Sequence, residues 1–245
     1  MTLSINPIPI LSDNYAWLLR DSDSGAMAIV DPADEAPVMA AIEAEAGSGG
    51  RLALILLTHH HADHIAAADA VRARTGARIV GAAADQHRLP RLDQAVREGD
   101  VVSLGGSRAN VIETSGHTRG HISFFFAQTP ALFCGDTLFS LGCGRLLEGS
   151  AQEMHDSLVR ISGLPDDTLI CCGHEYTQAN ARFALAALPH NQALAAQARQ
   201  IDQQRAEGLP TVPARLGAER STNPFLLAPS LDEFTRLRSW KDGFR

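Results

Sequence analysis

The stretch LILLTHHHADHIAAADAV, Leu54 to Val71, decides how this chain is read. An apolar run with the character of a buried strand leads directly into Thr58–His64, which holds four histidines and one aspartate. An alanine-rich segment with helical spacing follows. In extended backbone, side chains two apart face the same way, so His59 and His61 converge on one point while His60 points away. At the turn into the helix, Asp63 and His64 sit beside a second point. The H-x-H-x-D-H spacing therefore predicts two metal ions rather than one, because such a cluster is costly and repulsive without cations to hold it.

A two-metal centre needs more ligands than one loop supplies, and three other segments repeat the same grammar of a buried strand, a small residue and then a ligand. ETSGHTRGH places His117 between two strand-like runs, LFCGDTLF places Asp136 just past an apolar strand, and LICCGHEYT does the same for His174. Each alone reads as an ordinary loop residue with a hydrogen-bond partner. Together with the first cluster they read as ligands brought to one sheet edge.

Composition frames this reading. The chain has 245 residues, 45% of them hydrophobic, enough for a full core in one large domain or a domain with a small appendage. A formal net charge of −7 argues against a broad nucleic-acid surface. The start of the sequence lacks a basic region followed by a long apolar one, and no apolar run reaches about 18 residues, so a cytoplasmic protein that spans no membrane is expected. Cys134, Cys143, Cys171 and Cys172 show no CxxC spacing and read as reduced, mostly buried thiols.

Strands are expected at residues 26–31, 52–57, 77–82, 110–114, 121–126, 131–136 and 168–173, and a helix at 64–76 ending on Gly76. Ser150 with Glu153 three residues later predicts a capping box for a helix over 150–161. After Gly173 the texture turns alanine- and glutamine-rich, with helices over 176–189, 191–208 and 230–240 and no convincing strand. A boundary falls near Glu175, giving a strand-rich domain over 1–174 and a small helical domain over 175–245.

THHHADH, SGHTRGH, FCGDTLFSLGCGRLLEG, CCGHEYT, TVP with NPFL, and the terminal RSWKD together resemble the glyoxalase II family, the hydroxyacylglutathione hydrolases of the metallo-β-lactamase superfamily. The first motif marks only the superfamily; the later ones are specific to this hydrolase. The resemblance implies an α/β fold of the α+β kind, a four-layer αββα sandwich followed by an all-α C-terminal domain. It implies two divalent metals, zinc first, with iron and manganese able to use the same nitrogen and oxygen donors. His59, His61 and His117 would hold one metal, Asp63, His64 and His174 the other, and Asp136 both. His60 and His121 match positions that are not ligands in the family and have at most an orienting role.

The activity implied is hydrolysis of S-(2-hydroxyacyl)glutathione thioesters, S-D-lactoylglutathione going to D-lactate and glutathione in methylglyoxal detoxification. Two cations can lower the pKa of a shared water to about 7, so that hydroxide is the nucleophile, with Asp63 and Asp136 placing it. No G-x-S-x-G elbow is present to offer an alternative nucleophile. Glutathione carries carboxylates at both ends, and the resemblance nominates Arg145, Tyr176, Asn180, Arg238 and Lys241 to bind it, the last two near one turn of the final helix. Family members often carry an aromatic residue at the position of Leu147. A β-lactamase, a persulfide dioxygenase or a nuclease on the same fold is disfavoured by the missing secretion signal, the full set of seven ligands and the acidic balance in turn. A metal-storage protein is disfavoured because structural sites are closed four-ligand sets. The expected partner is a small-molecule substrate, with no nucleic acid or membrane, acted on by a monomer.

Overall fold

The structure is a computed structural model that describes residues 3–47 and 49–244. The chain forms two compact units, one of the residues up to Glu113 together with Gly120–Gly135, the other of Thr114–Arg119 together with the residues from Asp136 onward.

In the first unit, β1 (Leu3–Ile10), β2 (Asn14–Asp21), β3 (Ala26–Val30), α1 (Glu35–Ala46), β4 (Arg51–Leu56), α2 (Ala62–Ile65), α3 (Ala68–Thr75), β5 (Arg78–Ala82) and β6 (Gln94–Val96) come first. Their strands form one sheet in sequential order, antiparallel from β1 to β3 and parallel from β3 to β6. The parallel part is the region where α1 and α3 serve as crossovers, as parallel pairing requires. Val38, Met39 and Ile42 of α1 and Val71 of α3 pack with Ile29, Ile55 and Ile79 of the sheet into one core cluster. β7 (Val101–Leu104), β8 (Ser107–Glu113), β9 (Ile122–Phe126) and β10 (Ala131–Gly135) then pair antiparallel in sequence order. Every residue of β9 and β10 is buried, which is why both read as continuous apolar runs.

The second unit contains β11 (Leu138–Phe139), β12 (Gly142–Cys143), α4 (Ala151–Ser162), β13 (Leu169–Cys172), α5 (Thr177–Ala187), α6 (Gln192–Ala206), β14 (Ala214–Arg215), α7 (Leu216–Thr222) and α8 (Leu231–Gly243). Helix α4 begins with the expected capping box: the Glu153 amide donates to the Ser150 hydroxyl and the Ser150 amide to the Glu153 carboxylate. Leu194, Ala198 and Ile201 of α6 pack with Ala181 and Ala184 of α5.

Two expectations differ from the structure. The helix over 64–76 is two helices, because the Ala67 amide donates to the Pro32 carbonyl and the Asp63 carbonyl accepts from the Asn14 side chain, which removes one rung of a continuous ladder. A strand does follow Gly173: Ala214 and Arg215 pair with Ile170 and Leu169, a segment too short to give any period. Among the described residues, no helix is long and apolar enough to cross a membrane.

Candidate metal centre

In the first unit the site is built on the ends of β3 and β4. Asp31 follows β3 in left-handed backbone, φ 50°, a conformation aspartate tolerates better than most residues. Its carboxylate accepts from the Thr58 amide at 2.9 Å and from the Thr58 hydroxyl at 2.6 Å, and lies 3.0 Å from Nδ1 of His64. Because the Thr58 hydroxyl gives its one proton to Asp31, its oxygen accepts from Nδ1 of His59, 3.0 Å away. Both imidazoles thereby carry their proton on Nδ1 and keep Nε2 as a lone-pair donor. Nε2 of His59 lies 3.1 Å from Nδ1 of His61. Two nitrogens at about 2.0–2.1 Å from one tetrahedral cation stand about 3.3 Å apart, so this spacing fits two ligands of one ion.

Asp63 is half-exposed and is held by the Asn14 amide, which donates at 3.1 Å to both its carbonyl and its carboxylate. Nε2 of His64 faces that carboxylate at 3.7 Å. His60 points away as the strand alternation requires, its Nδ1 3.1 Å from Asp85, which Arg88 also holds. His121, fully buried, stacks on His59 at 4.8 Å. Gly135 ends β10 with φ 46°, and a Cβ there would run into the Thr58 hydroxyl and the His121 ring.

In the second unit, His117, Asp136 and His174 are all buried. Nδ1 of His117 donates to the Arg145 carbonyl oxygen at 2.8 Å. Its Nε2 lies 3.5 Å from Oδ2 of Asp136, and Nε2 of His174 lies 3.3 Å from the same oxygen. One carboxylate oxygen thus lies within 3.5 Å of a ring nitrogen of each histidine. Tyr176, partly exposed, stacks face to face on His174 at 4.5 Å. Gly144 allows the backbone to pass against the Asp136 carbonyl, which a Cβ would overlap.

His59, His61, Asp63, His64, His117 and His174 all belong to groups of donors that could hold a metal ion. One such group, Asp31 with His59 and His64, includes a carboxylate that the sequence reading missed. Part of the signal was present: AMAIVD ends an apolar strand on an aspartate, as the run before Asp136 does, but without the small residue between them.

The expected substrate groups divide. Arg145 is exposed. The Lys241 ammonium is half-buried, donates to the Ala179 carbonyl at 3.1 Å and lies over the Phe183 ring. Burial, followed by the charges of Arg238, Arg182 and Arg145, lowers its pKa to about 8. Arg238 and Asn180 are buried and turned to the backbone instead. Arg238 donates to the Cys143 carbonyl at 2.7 Å and pairs with Asp242, while Asn180 donates to the Ser140 carbonyl at 3.1 Å. The Arg238 guanidinium, expected to bind substrate with Lys241, is bonded in this structure to the loop that precedes Arg145 and to Asp242. Leu147 is exposed.

Comparison with known proteins agrees along the whole chain. Residues 11–174 match the model of the metallo-beta-lactamase superfamily, and residues 175–244 match that of the hydroxyacylglutathione hydrolase C-terminus. A hydroxyacylglutathione hydrolase from Acidiphilium cryptum is 54% identical over 98% of this chain and 97% of its own length. The chain belongs to the hydroxyacylglutathione hydrolase family. Another member, from Ruegeria pomeroyi, is 51% identical over 100% of both chains. Among solved structures, ETHE1 from Myxococcus xanthus superposes with a TM-score of 0.73 at 27% identity, covering 98% of this chain and 90% of its own. The fold is that of the metallo-β-lactamases, and the family's helical C-terminus corresponds to the region of α5 to α8.

Proposed function

We propose that the chain hydrolyses S-(2-hydroxyacyl)glutathione thioesters, adding water across the C–S bond to release the 2-hydroxy acid and glutathione, with S-D-lactoylglutathione as substrate. The observation that carries this reading is the end-to-end match to relatives named for that activity, which includes the C-terminal segment that a bare metallo-β-lactamase match would leave out. Residues 1–174 would form the catalytic domain and 175–245 the substrate-binding one.

His59, His61 and His117 would hold one divalent metal, and Asp63, His64 and His174 a second, with Asp136 shared between them. The donor set fits: every ligand atom is nitrogen or oxygen, and the proton on the far nitrogen of His59, His64 and His117 is fixed by Thr58, Asp31 and the Arg145 carbonyl. Zinc is the first choice, with iron and manganese chemically admissible. Bound there, the pair would supply water acidified to neutral pH and an electrophile for the thioester carbonyl.

The chain's own residues do the rest. Asp63, steadied by Asn14, and Asp136 would orient the attacking water. Arg145, Tyr176 and Lys241 would take the glutathione moiety, with Arg238 and Asn180 holding the loop behind Arg145. A thiolate whose parent thiol has a pKa of about 8.5 departs without a strong acid, which suits a site with no obvious proton donor. The cysteines are poor nucleophiles here: all four are buried, and burial raises the Cys143 thiol and pushes Cys172 up to about 12. The reading places a monomeric enzyme in the cytoplasm, where such thiols stay reduced. Loss of S-D-lactoylglutathione in the presence of the purified protein, against a small thioester without the peptide, tests it: preference for the glutathione thioester is expected, and equal rates would reopen the substrate assignment.

A further inference from the structure

The backbone from Phe139 to Gly144 leads directly to the Arg145 carbonyl that holds His117, and its polar groups are met by side chains of three helices in the C-terminal region. From α7, Glu219 accepts from the Leu141 amide at 2.7 Å and bonds the Ser140 hydroxyl at 2.9 Å. Asn223, just past α7, donates to the Gly142 carbonyl at 3.1 Å, to the Phe139 carbonyl at 3.3 Å and to Glu219 at 3.0 Å. Asn180 on α5 takes the Ser140 carbonyl, and Arg238 on α8 takes those of Cys143 and Gly144. Leu141 sits in left-handed backbone, φ 57°, a conformation a leucine keeps only where its surroundings over-determine it. At the end of the loop the Gly144 amide donates to the Thr137 carbonyl, and beyond it the amides of Leu147 and Glu148 donate to the His117 carbonyl.

We infer that Glu219 and Asn223 are positioning residues for the metal centre: they fix the 139–144 loop, and through the Arg145 carbonyl they fix the ring of His117. The C-terminal segment would then do more than recognise substrate. This rests on the reading of His117 as a metal ligand. Glu219 is wholly buried, and the groups that meet its carboxylate are neutral: the Ser140 hydroxyl, the Leu141 amide and the Asn223 side-chain amide. Burial raises its carboxyl to about 7, so that a neutral form is accessible near physiological pH. A glutamine at 219 can reproduce that form, accepting from Leu141 and Asn223 through its oxygen and donating to Ser140 through its nitrogen.

The test measures zinc affinity by chelator competition, together with thermal unfolding of the metal-free protein, for Glu219→Ala, Asn223→Ala, Ser140→Ala and Glu219→Gln. Loss of an outer-shell partner of a ligand costs about 10–100-fold in metal affinity. About tenfold weaker zinc binding is expected for Glu219→Ala and Asn223→Ala, a smaller loss for Ser140→Ala, and near wild-type binding for Glu219→Gln. In a His117→Ala background, Glu219→Ala should weaken zinc no further, because its route is already cut. Folded Asn223→Ala and Ser140→Ala proteins with wild-type zinc affinity would overturn the inference even if Glu219→Ala does not fold, and so would a further loss of affinity in the His117→Ala background. Failure of the wild-type protein to bind zinc would instead remove the metal reading beneath it.

Discussion

His117 and Arg145 are joined by one hydrogen bond in which Nδ1 of the histidine donates to the main-chain carbonyl of the arginine at 2.8 Å. On the proposed function Arg145 would have two separable parts, a carbonyl that orients His117 and an exposed guanidinium that meets substrate. Arg145→Ala keeps the carbonyl. Its metal content should match wild type, while KM for a glutathione thioester rises about tenfold, the cost of one charge-assisted contact of about 1.5 kcal/mol. Metal analysis with steady-state kinetics checks both halves, and loss of metal would show that the side chain matters to the centre.

Asp136 and His60 form a second contrast. The Asp136 carboxylate sits between His117 and His174, whereas His60 turns its ring to Asp85. Asp136→Ala should lose both metal and activity, and His60→Ala should keep most of each. Wild-type metal content in the Asp136 variant would contradict the ligand assignment.

Much of this centre was legible because its grammar is local. A period-two alternation places His59 and His61 together and His60 apart, and an apolar strand leading to a metal-seeking side chain is visible at Asp136 and His174. Asp31 obeys the same rule, yet a single aspartate after a strand carries no motif of its own, and its role appears only when β3 and β4 lie side by side. The commitment of Arg238 and Asn180 to the 139–144 loop was hidden for a different reason. Sequence spacing puts Arg238 near Lys241 on α8 but carries no information about carbonyls 94 or 95 residues away. Helix α1 and the β1–β2 hairpin went unassigned because their burial comes from sheet packing rather than from a clean period.

Lys241 gives a pH-dependent signature. Its pKa is lowered to about 8, so it is charged below that pH and loses its charge as pH rises through it. KM for a glutathione thioester should therefore rise above about pH 8, with kcat less affected. Lys241→Ala should start from a KM raised about ten- to a hundredfold and show no such step. A step of the same size in the variant would assign the titration to another group.

Glu219, whose pKa is shifted upward rather than down, predicts a gradient in stability. Its carboxyl is raised in the folded state to about 7 from an ordinary 4.5, so the folded protein holds the proton more tightly than the unfolded chain does. The stability this provides is present below about 4.5 and is lost as pH rises through 7, a difference of about 3 kcal/mol in full. Urea unfolding of the metal-free protein should show Glu219→Gln close to wild type near pH 4.5 and progressively more stable than it toward pH 8. Parallel pH profiles for the two proteins would mean that Glu219 does not titrate in this range.

The most direct measurement is the initial rate of S-D-lactoylglutathione hydrolysis by the purified protein, first stripped of metal by a chelator and then titrated with zinc. The rate should fall to background on stripping and return with added zinc, saturating at two ions per chain. Full activity in the stripped protein, or no hydrolysis with two zinc ions bound, would contradict the account.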